Sequence, residues 1–419
     1  MSAANLHDGN EGSQFSARAD TLNIISDLGA AMKNSFRPSN RCRRGAIAAI
    51  AVLALVGCGS ITSTSGSPSS TALVTPASTT NSPTTTTSAA TLTSAKPTAP
   101  TTTTAPSTTA TSNAADTGAE DSSGPLSVQQ LIDLGRPIVL AHAGGEDQHP
   151  HSSPFGFSES AKAGVDMLDF DVQLTEDGVL IVQHDEGTGR TADRDLVVAT
   201  STFAELHGLD NAFWFTRECV CTGKPDADYL YRGIRNGSKP PPTGYMPEDF
   251  AIARFSDIAA KYPDLPVNIE IKGRGEPAKA AAKQLAVELA ELDLLDSAVV
   301  ASFDDSVVRA FHEFAPTVEI SPGLEASTEW VLNSTPLPDG MRILQLPPMF
   351  GDIEVLTPAT VSKSHAAGYE IWVWPNDRSY ENADGYGRLL ARGMDGLNIN
   401  FPALGVQAVE AFPGIPATS

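Results

Sequence analysis

The stretch "LDFDVQLTEDGVLIVQHDEGTGRT", Leu168 to Thr191, reads as a strand, a tight turn and a returning strand. Leu168 to Leu174 is rich in branched and aromatic residues, and in a strand residues two apart point to the same face, so Asp169 and Asp171 share one. Glu176-Asp177-Gly178 has the composition of a hairpin turn, and the apolar run "VLIVQH" then brings His184 level with the two aspartates. A solvated hairpin with two exposed carboxylates would carry the same residues, so the surroundings must decide its meaning.

Working outward, strand-like segments recur at "IVLAHA" (138 to 143), "MLDFDV" (167 to 172), "VNIEIK" (267 to 272), "AVVASF" (298 to 303), "VEISPGL" (318 to 324), "RILQLP" (342 to 347), "EIWVW" (370 to 374) and "GLNINF" (396 to 401). Helical patterns separate most of them, most clearly "EPAKAAAKQLAVELAELD" at 276 to 293. Eight strands alternating with helices predict a TIM (β/α)8 barrel, with "VLIVQH" as a hairpin arm outside the count. Such barrels carry their chemistry at strand C-terminal ends, which here present His142, Asp169, Asp171, Glu270, Lys272, Ser302, Gln345, Trp374, Asn376, Asn398 and Asn400. Glu270 and Lys272 repeat the two-apart spacing of the aspartates inside a strand expected to be buried; a structural ion pair is the plain alternative to a functional one.

The interval from about Ala192 to Phe250 breaks the rhythm and is rich in Gly, Pro and aromatics, which predicts an insertion over the barrel mouth. It holds Cys219 and Cys221, which could form a disulfide across one residue or serve as metal ligands, although no second pair of zinc spacing accompanies them. The barrel domain is placed at 125–413 and a short tail at 414–419. Before it, residues 58–124 are almost wholly Ser, Thr, Ala and Pro and cannot bury enough apolar surface to fold, so they read as a disordered linker. Residues 1–57 contain Arg41, Arg43 and Arg44, then an apolar run from Ala46 to Val56 that is short for a bilayer span but suits a secretory signal. The sequence Leu55-Val56-Gly57-Cys58 is similar to a bacterial lipobox, which makes Cys58 the expected lipidation site, the membrane the expected partner through that anchor, and Met32 the expected true start. The net charge of −22 argues against nucleic acid and favours a cation or a polar small molecule as partner.

With these elements in order, the segment from Ile138 to Pro402 resembles the glycerophosphodiester phosphodiesterases, a family with a phospholipase-C-like TIM barrel. The resemblance rests on His142-Ala143-Gly144, Pro150-His151-Ser152-Ser153, Gly164-Val165-Asp166, Asp169-Phe170-Asp171-Val172, Thr175-Glu176-Asp177-Gly178, His184-Asp185 with Arg190-Thr191, Glu270-Ile271-Lys272, Trp374 and Gly393-Met394-Asp395-Gly396. It also extends to "YLYRGIRNG" and the close cysteine pair of the insertion, which look like the lid of a bacterial subgroup. What the resemblance implies is hydrolysis of a small or lipid-derived phosphodiester. His142 and His184 would be general acid and base; Asp169, Asp171 and Glu270 would hold one divalent cation, Ca²⁺ more readily than Mg²⁺; and Lys272 would hold a phosphate oxygen.

Three positions depart from the family pattern. Ala143 stands where the family has arginine, His151-Ser152 where it has Glu-Asn, and Asp169 where it has the longer Glu. Two other readings therefore stay open. One is a phospholipase-D-like activity on lysophospholipids, which needs an apolar wall in the mouth from residues such as Trp214, Tyr229, Tyr231 and Tyr245; the other is a catalytically silent lipoprotein that binds envelope components.

Overall fold

The computed structural model describes residues 124–217 and 219–414. The signal segment with Met32, Cys58, the linker up to residue 123 and residues 415–419 lie outside them.

The strands, in chain order, are β1 (Ile138–Ala141), β2 (Met167–Leu174), β3 (Leu180–Val182), β4 (Val267–Ile271), β5 (Ala298–Ala301), β6 (Glu319–Ile320), β7 (Ile343–Leu346), a two-stranded ribbon of β8 (Met349–Phe350) and β9 (Ile353–Glu354), then β10 (Glu370–Val373) and β11 (Gly396–Ile399). Eight of them run parallel in the order β6-β5-β4-β2-β1-β11-β10-β7. A parallel bridge between Ile320 and Met341, with Ser321 Oγ donating to the Ile343 carbonyl at 2.7 Å, draws the two edges together, so the sheet is a nearly closed TIM barrel. Each of the eight predicted segments carries a strand, and β3 pairs antiparallel with β2 as the hairpin arm. The turn between them is built by Thr175, whose hydroxyl donates to Asp177 Oδ1 at 2.6 Å and accepts from the Val179 amide at 2.9 Å. Gly178, at φ 76°, takes the left-handed position that a side chain would resist.

Strand parity sorts the residues. On β2, Leu168, Phe170 and Val172 face outward into the apolar shell beneath the helices, as do Val267, Ile269 and Ile271 on β4. Met167, Asp169 and Asp171, and Asn268 and Glu270, are left to face the lumen. Ile138, Leu140, Met167, Val299, Ile343 and Trp372 fill the bottom of the lumen, sealed by Val128 and Leu131 of the helix Val128–Ile132. Polar side chains thus begin one layer above a dry floor.

The segment 192–250 builds two further apolar clusters. Ala192, Val198, Leu206 and Leu209 pack with Ile181 of β3, and Ala212, Ile234 and Phe250 pack on Phe155 of the helix Pro154–Lys162. The four aromatics considered for an apolar wall are occupied in this packing. Tyr231 and Tyr245 lie against Phe155, while Trp214 and Tyr229 stack on the Arg232 guanidinium, 4.7 and 3.5 Å from their ring centres. Cys219 and Cys221 are joined in a disulfide with Cα atoms 5.4 Å apart.

Candidate active site

The parallel register between β2 and β4 sets Asp169 beside Asn268 and Asp171 beside Glu270. Lys272, just past the end of β4, turns its ammonium between the two outer carboxylates, 2.8 Å from Asp171 Oδ1 and 2.8 Å from Glu270 Oε2. Burial alone would raise Asp171, but Lys272 and then three histidines hold its carboxyl far below the usual range, so it stays ionised. Asp169 is held differently. Asn268 Nδ2 donates to its Oδ1 at 2.6 Å, the Ala143 amide donates to its Oδ2 at 3.3 Å, and burial moves its pKa upward. Asn268 in turn exchanges hydrogen bonds with Gln345, which reaches Ser321, so a polar chain crosses the lumen beneath the site.

The two histidines arrive from β1 and from the hairpin. Asn400 Nδ2 donates to Glu146 Oε1 at 3.1 Å and Asp147 Oδ2 at 3.0 Å, which turns its Oδ1 toward His142. His142 Nδ1, 2.8 Å from that oxygen, must therefore carry the proton. Burial disfavours charge on His142, yet the carboxylates of Glu146, Asp169 and Asp171 outweigh it and raise its pKa to about 9. His184 Nδ1 lies 2.5 Å from Asp185 Oδ1, and Arg190 Nε anchors the other Asp185 oxygen at 2.6 Å. Gln173 fixes this corner by donating to the carbonyls of Gln183, His184 and Asp185. The rings of His151 and His184 meet edge to face, with centroids 5.9 Å apart.

His142, His184, Asp169, Asp171, Glu270 and Lys272 are thus drawn together at one end of the barrel, where strand parity placed them. Several partners in the site carried no role in the sequence reading. Glu146 and Asp147 come from the turn after β1, Asn400 was recognised only as a polar strand end, and Asp185 and Arg190 only as parts of a motif. The departures also acquire physical content. Ala143 is fully buried at φ 46°, with no space there for an arginine side chain, and the guanidinium in the site comes from Arg190.

Whether the residues fit a divalent cation can be judged from their donors. Among the described residues, no group of three or more His, Cys, Asp or Glu side chains is already converged on a single point as a metal site. The reason is visible: Lys272 draws in Asp171 and Glu270, and Asn268 and Ala143 hold Asp169. Asp171 Oδ2 is nevertheless buried without a hydrogen-bond partner, which is costly for an ionised oxygen unless a cation or donor faces it. Among the described residues, the permanent cations paired with the six carboxylates gathered here (Glu146, Asp147, Asp169, Asp171, Asp185 and Glu270) are Lys272, Arg190 and Arg378. A hard, oxygen-rich set with an orphaned oxygen and an excess of negative charge fits Ca²⁺ or Mg²⁺.

Two histidines gathered among carboxylates at the strand C-terminal end of a TIM barrel are the kind of grouping in which this fold builds enzyme sites. The chain matches the glycerophosphoryl diester phosphodiesterase family over residues 142–404. It is 25% identical to the glycerophosphodiester phosphodiesterase of Caldanaerobacter subterraneus over 271 residues, covering 64% of this chain and 95% of that protein. It is 26% identical to the probable glycerophosphodiester phosphodiesterase 2 of Mycobacterium tuberculosis over 270 residues, covering 61% and 86%. Among solved structures, a glycerophosphoryl diester phosphodiesterase domain from M. tuberculosis superposes with a TM-score of 0.51 at 16% identity, covering 65% of this chain and 98% of that one. A glycerophosphoryl diester phosphodiesterase from Parabacteroides distasonis gives 0.50 at 17% identity, covering 71% and 95%; both likenesses concern the fold. The chain belongs to the glycerophosphoryl diester phosphodiesterase family and is a phosphoric diester hydrolase.

Proposed function

We propose that this chain hydrolyses glycerophosphodiesters to glycerol phosphate and an alcohol, with one divalent cation, and that it works outside the cytoplasm, tethered through lipid on Cys58. The observation that carries the chemistry is the grouping of His142 and His184 around Asp171, Glu270 and Lys272. A phosphodiester is anionic and its alkoxide is a poor leaving group, so hydrolysis needs positive charge at the phosphoryl oxygens and a proton for the departing oxygen. Asp171 and Glu270, with Asp169, would hold the cation, which when bound supplies Lewis-acid stabilisation of that charge. Ca²⁺ suits a set that includes the shortened Asp169, because its coordination is looser than that of Mg²⁺.

The chain's own residues supply the rest. The Asp185 carboxylate accepts from His184 Nδ1 and fixes its ring, so His184 Nε2 takes the proton of the attacking hydroxyl. His142 keeps its Nδ1 proton on Asn400 and, as the imidazolium, gives its Nε2 proton to the leaving alkoxide. Lys272 and Arg190 bring fixed positive charge to the phosphoryl group in place of the arginine that Ala143 replaces. Tyr229 is buried over Arg232 and Tyr231 packs against Phe155, which favours a water-soluble head-group diester over a lysophospholipid. The membrane placement rests on Leu55 to Cys58 and the basic stretch before it. A panel of glycerophosphodiesters and lysophospholipids assayed for glycerol phosphate release tests the reading; turnover confined to lysophospholipids, or none at all, would replace it.

A further inference from the structure

We propose that Glu146 is a positioning residue for this reaction: a single half-buried carboxylate that ties the first histidine, the hairpin's arginine and the last strand into one unit. The proposal rests on the hydrolase reading of the site and assigns a role to a residue outside the expected set. Nitrogens from four parts of the chain surround this side chain: Asn400 donates a hydrogen bond to it, and the other three lie farther off, His151 Nε2 itself accepting from Arg190 Nη2 at 3.1 Å. Asn400 Nδ2, beyond β11, lies 3.1 Å from Oε1, and His142 Nδ1, at the end of β1, lies 3.8 Å from the same oxygen. His151 Nε2 is 3.3 Å and Arg190 Nη1 is 3.8 Å from Oε2.

The backbone is contorted to make this possible. Ala143, Gly144 and Gly145 all have positive φ, at 46°, 76° and 82°, and together they fold the chain after β1 back over the strand end. The left-handed region is disfavoured for a non-glycine residue, and such strain persists where the surroundings enforce it. A side chain at Gly145 would collide with the Pro402 ring at 2.9 Å, so the turn is also sterically closed. The same loop lacks a carboxylate at position 151, where the family pattern has one, and supplies it at 146; His151 now contacts it. The His151 departure thereby sets an imidazole beside the Glu146 carboxylate within the same loop.

Through Asn400, Glu146 fixes which end of that amide faces His142, and through Arg190 it braces the Asp185–His184 pair carried by the neighbouring β2–β3 hairpin. Glu146→Gln keeps the size of the side chain but loses the charge; Glu146→Ala removes both. In the full chain, both variants should lower kcat by about tenfold to a hundredfold with KM changed by less than about threefold, and Glu146→Asp should recover part of the loss. A merely structural role would instead lower the melting temperature and leave kcat of the folded fraction intact. Histidine ring NMR of the resting protein supplies a readout that needs no turnover: the His142 resonances should move in both variants, while those of His207, whose Nδ1 is bonded to the Ile252 carbonyl, should stay. Wild-type kcat in Glu146→Gln, or unmoved His142 signals in either variant, overturns the proposal. A wild type that hydrolyses no diester overturns the hydrolase reading alone, and the NMR arm then decides the positioning role.

Discussion

At the residue scale, the account makes the two histidines carry the proton transfers. Replacing either His142 or His184 by alanine should lower kcat by roughly 10² to 10⁴ without changing the fold, as expected for loss of general acid or base catalysis. Steady-state kinetics with matched thermal melts checks this, and wild-type turnover in either variant would remove the mechanism. Asp185→Asn should reproduce much of the His184 defect, because an amide can present its NH2 to Nδ1 and so lose the acceptor, 2.5 Å away, that fixes the ring's tautomer and orientation. Lys272→Met leaves Asp171 and Glu270 unpaired side by side, and breaking a buried ion pair of this kind costs about 3–5 kcal/mol. A melting midpoint unmoved in that variant would mean that the two carboxylates find another partner. The residues legible in the sequence are those whose position follows from strand parity: Asp169 and Asp171 on one strand, Glu270 and Lys272 on the next. Glu146 was not legible, because a turn with three consecutive positive-φ residues leaves no periodicity from which the direction of its side chain could be read. Asn400 stood at a strand end, but its task depends on an amide orientation set by Glu146 and Asp147, which are far away in sequence.

At the scale of elements, the hairpin from β2 to β3 was read from its alternation and its turn chemistry, and the barrel strands from their apolar runs. The insertion was located by its composition, but its internal order could not be read, because it depends on ring contacts rather than on periodic structure. Arg232 is its staple: the guanidinium lies over Phe213, Trp214 and Tyr229, and Nε donates to the Phe213 carbonyl at 3.0 Å. Each such cation–π contact contributes about 0.5–2 kcal/mol. Arg232→Ala should therefore loosen this segment with little effect on the barrel. Hydrogen exchange should quicken across residues 210–250 while the amides of β1, β2 and β4 keep their protection. Uniform acceleration through the barrel strands would instead show that the insertion and the barrel unfold together.

At the scale of the whole molecule, a buried acid couples stability to pH. Burial outweighs the hydrogen bonds that Glu381 accepts from Tyr386 and the Asn400 amide, raising its pKa from 4.5 to about 7. A carboxyl whose folded pKa is raised favours folding fully below its unfolded pKa, and that contribution is lost as pH rises through the folded value. Relative to Glu381→Gln, the wild type should therefore lose about 2–3 kcal/mol between pH 4.5 and 7, seen by denaturant melts across that range. A constant difference between the two proteins would mean that Glu381 stays ionised. The tether is a separate matter of chemistry: mass spectra of the processed protein should show lipid on Cys58, and Cys58→Ala should accumulate as precursor. The measurement that bears most directly on the central claim is glycerol phosphate release from a glycerophosphodiester by wild type and Asp171→Asn after EDTA treatment, with Ca²⁺ or Mg²⁺ restored. The account predicts that chelation abolishes turnover, that Ca²⁺ restores it in the wild type more effectively than Mg²⁺, and that Asp171→Asn recovers little with either. Full wild-type turnover in EDTA would contradict it.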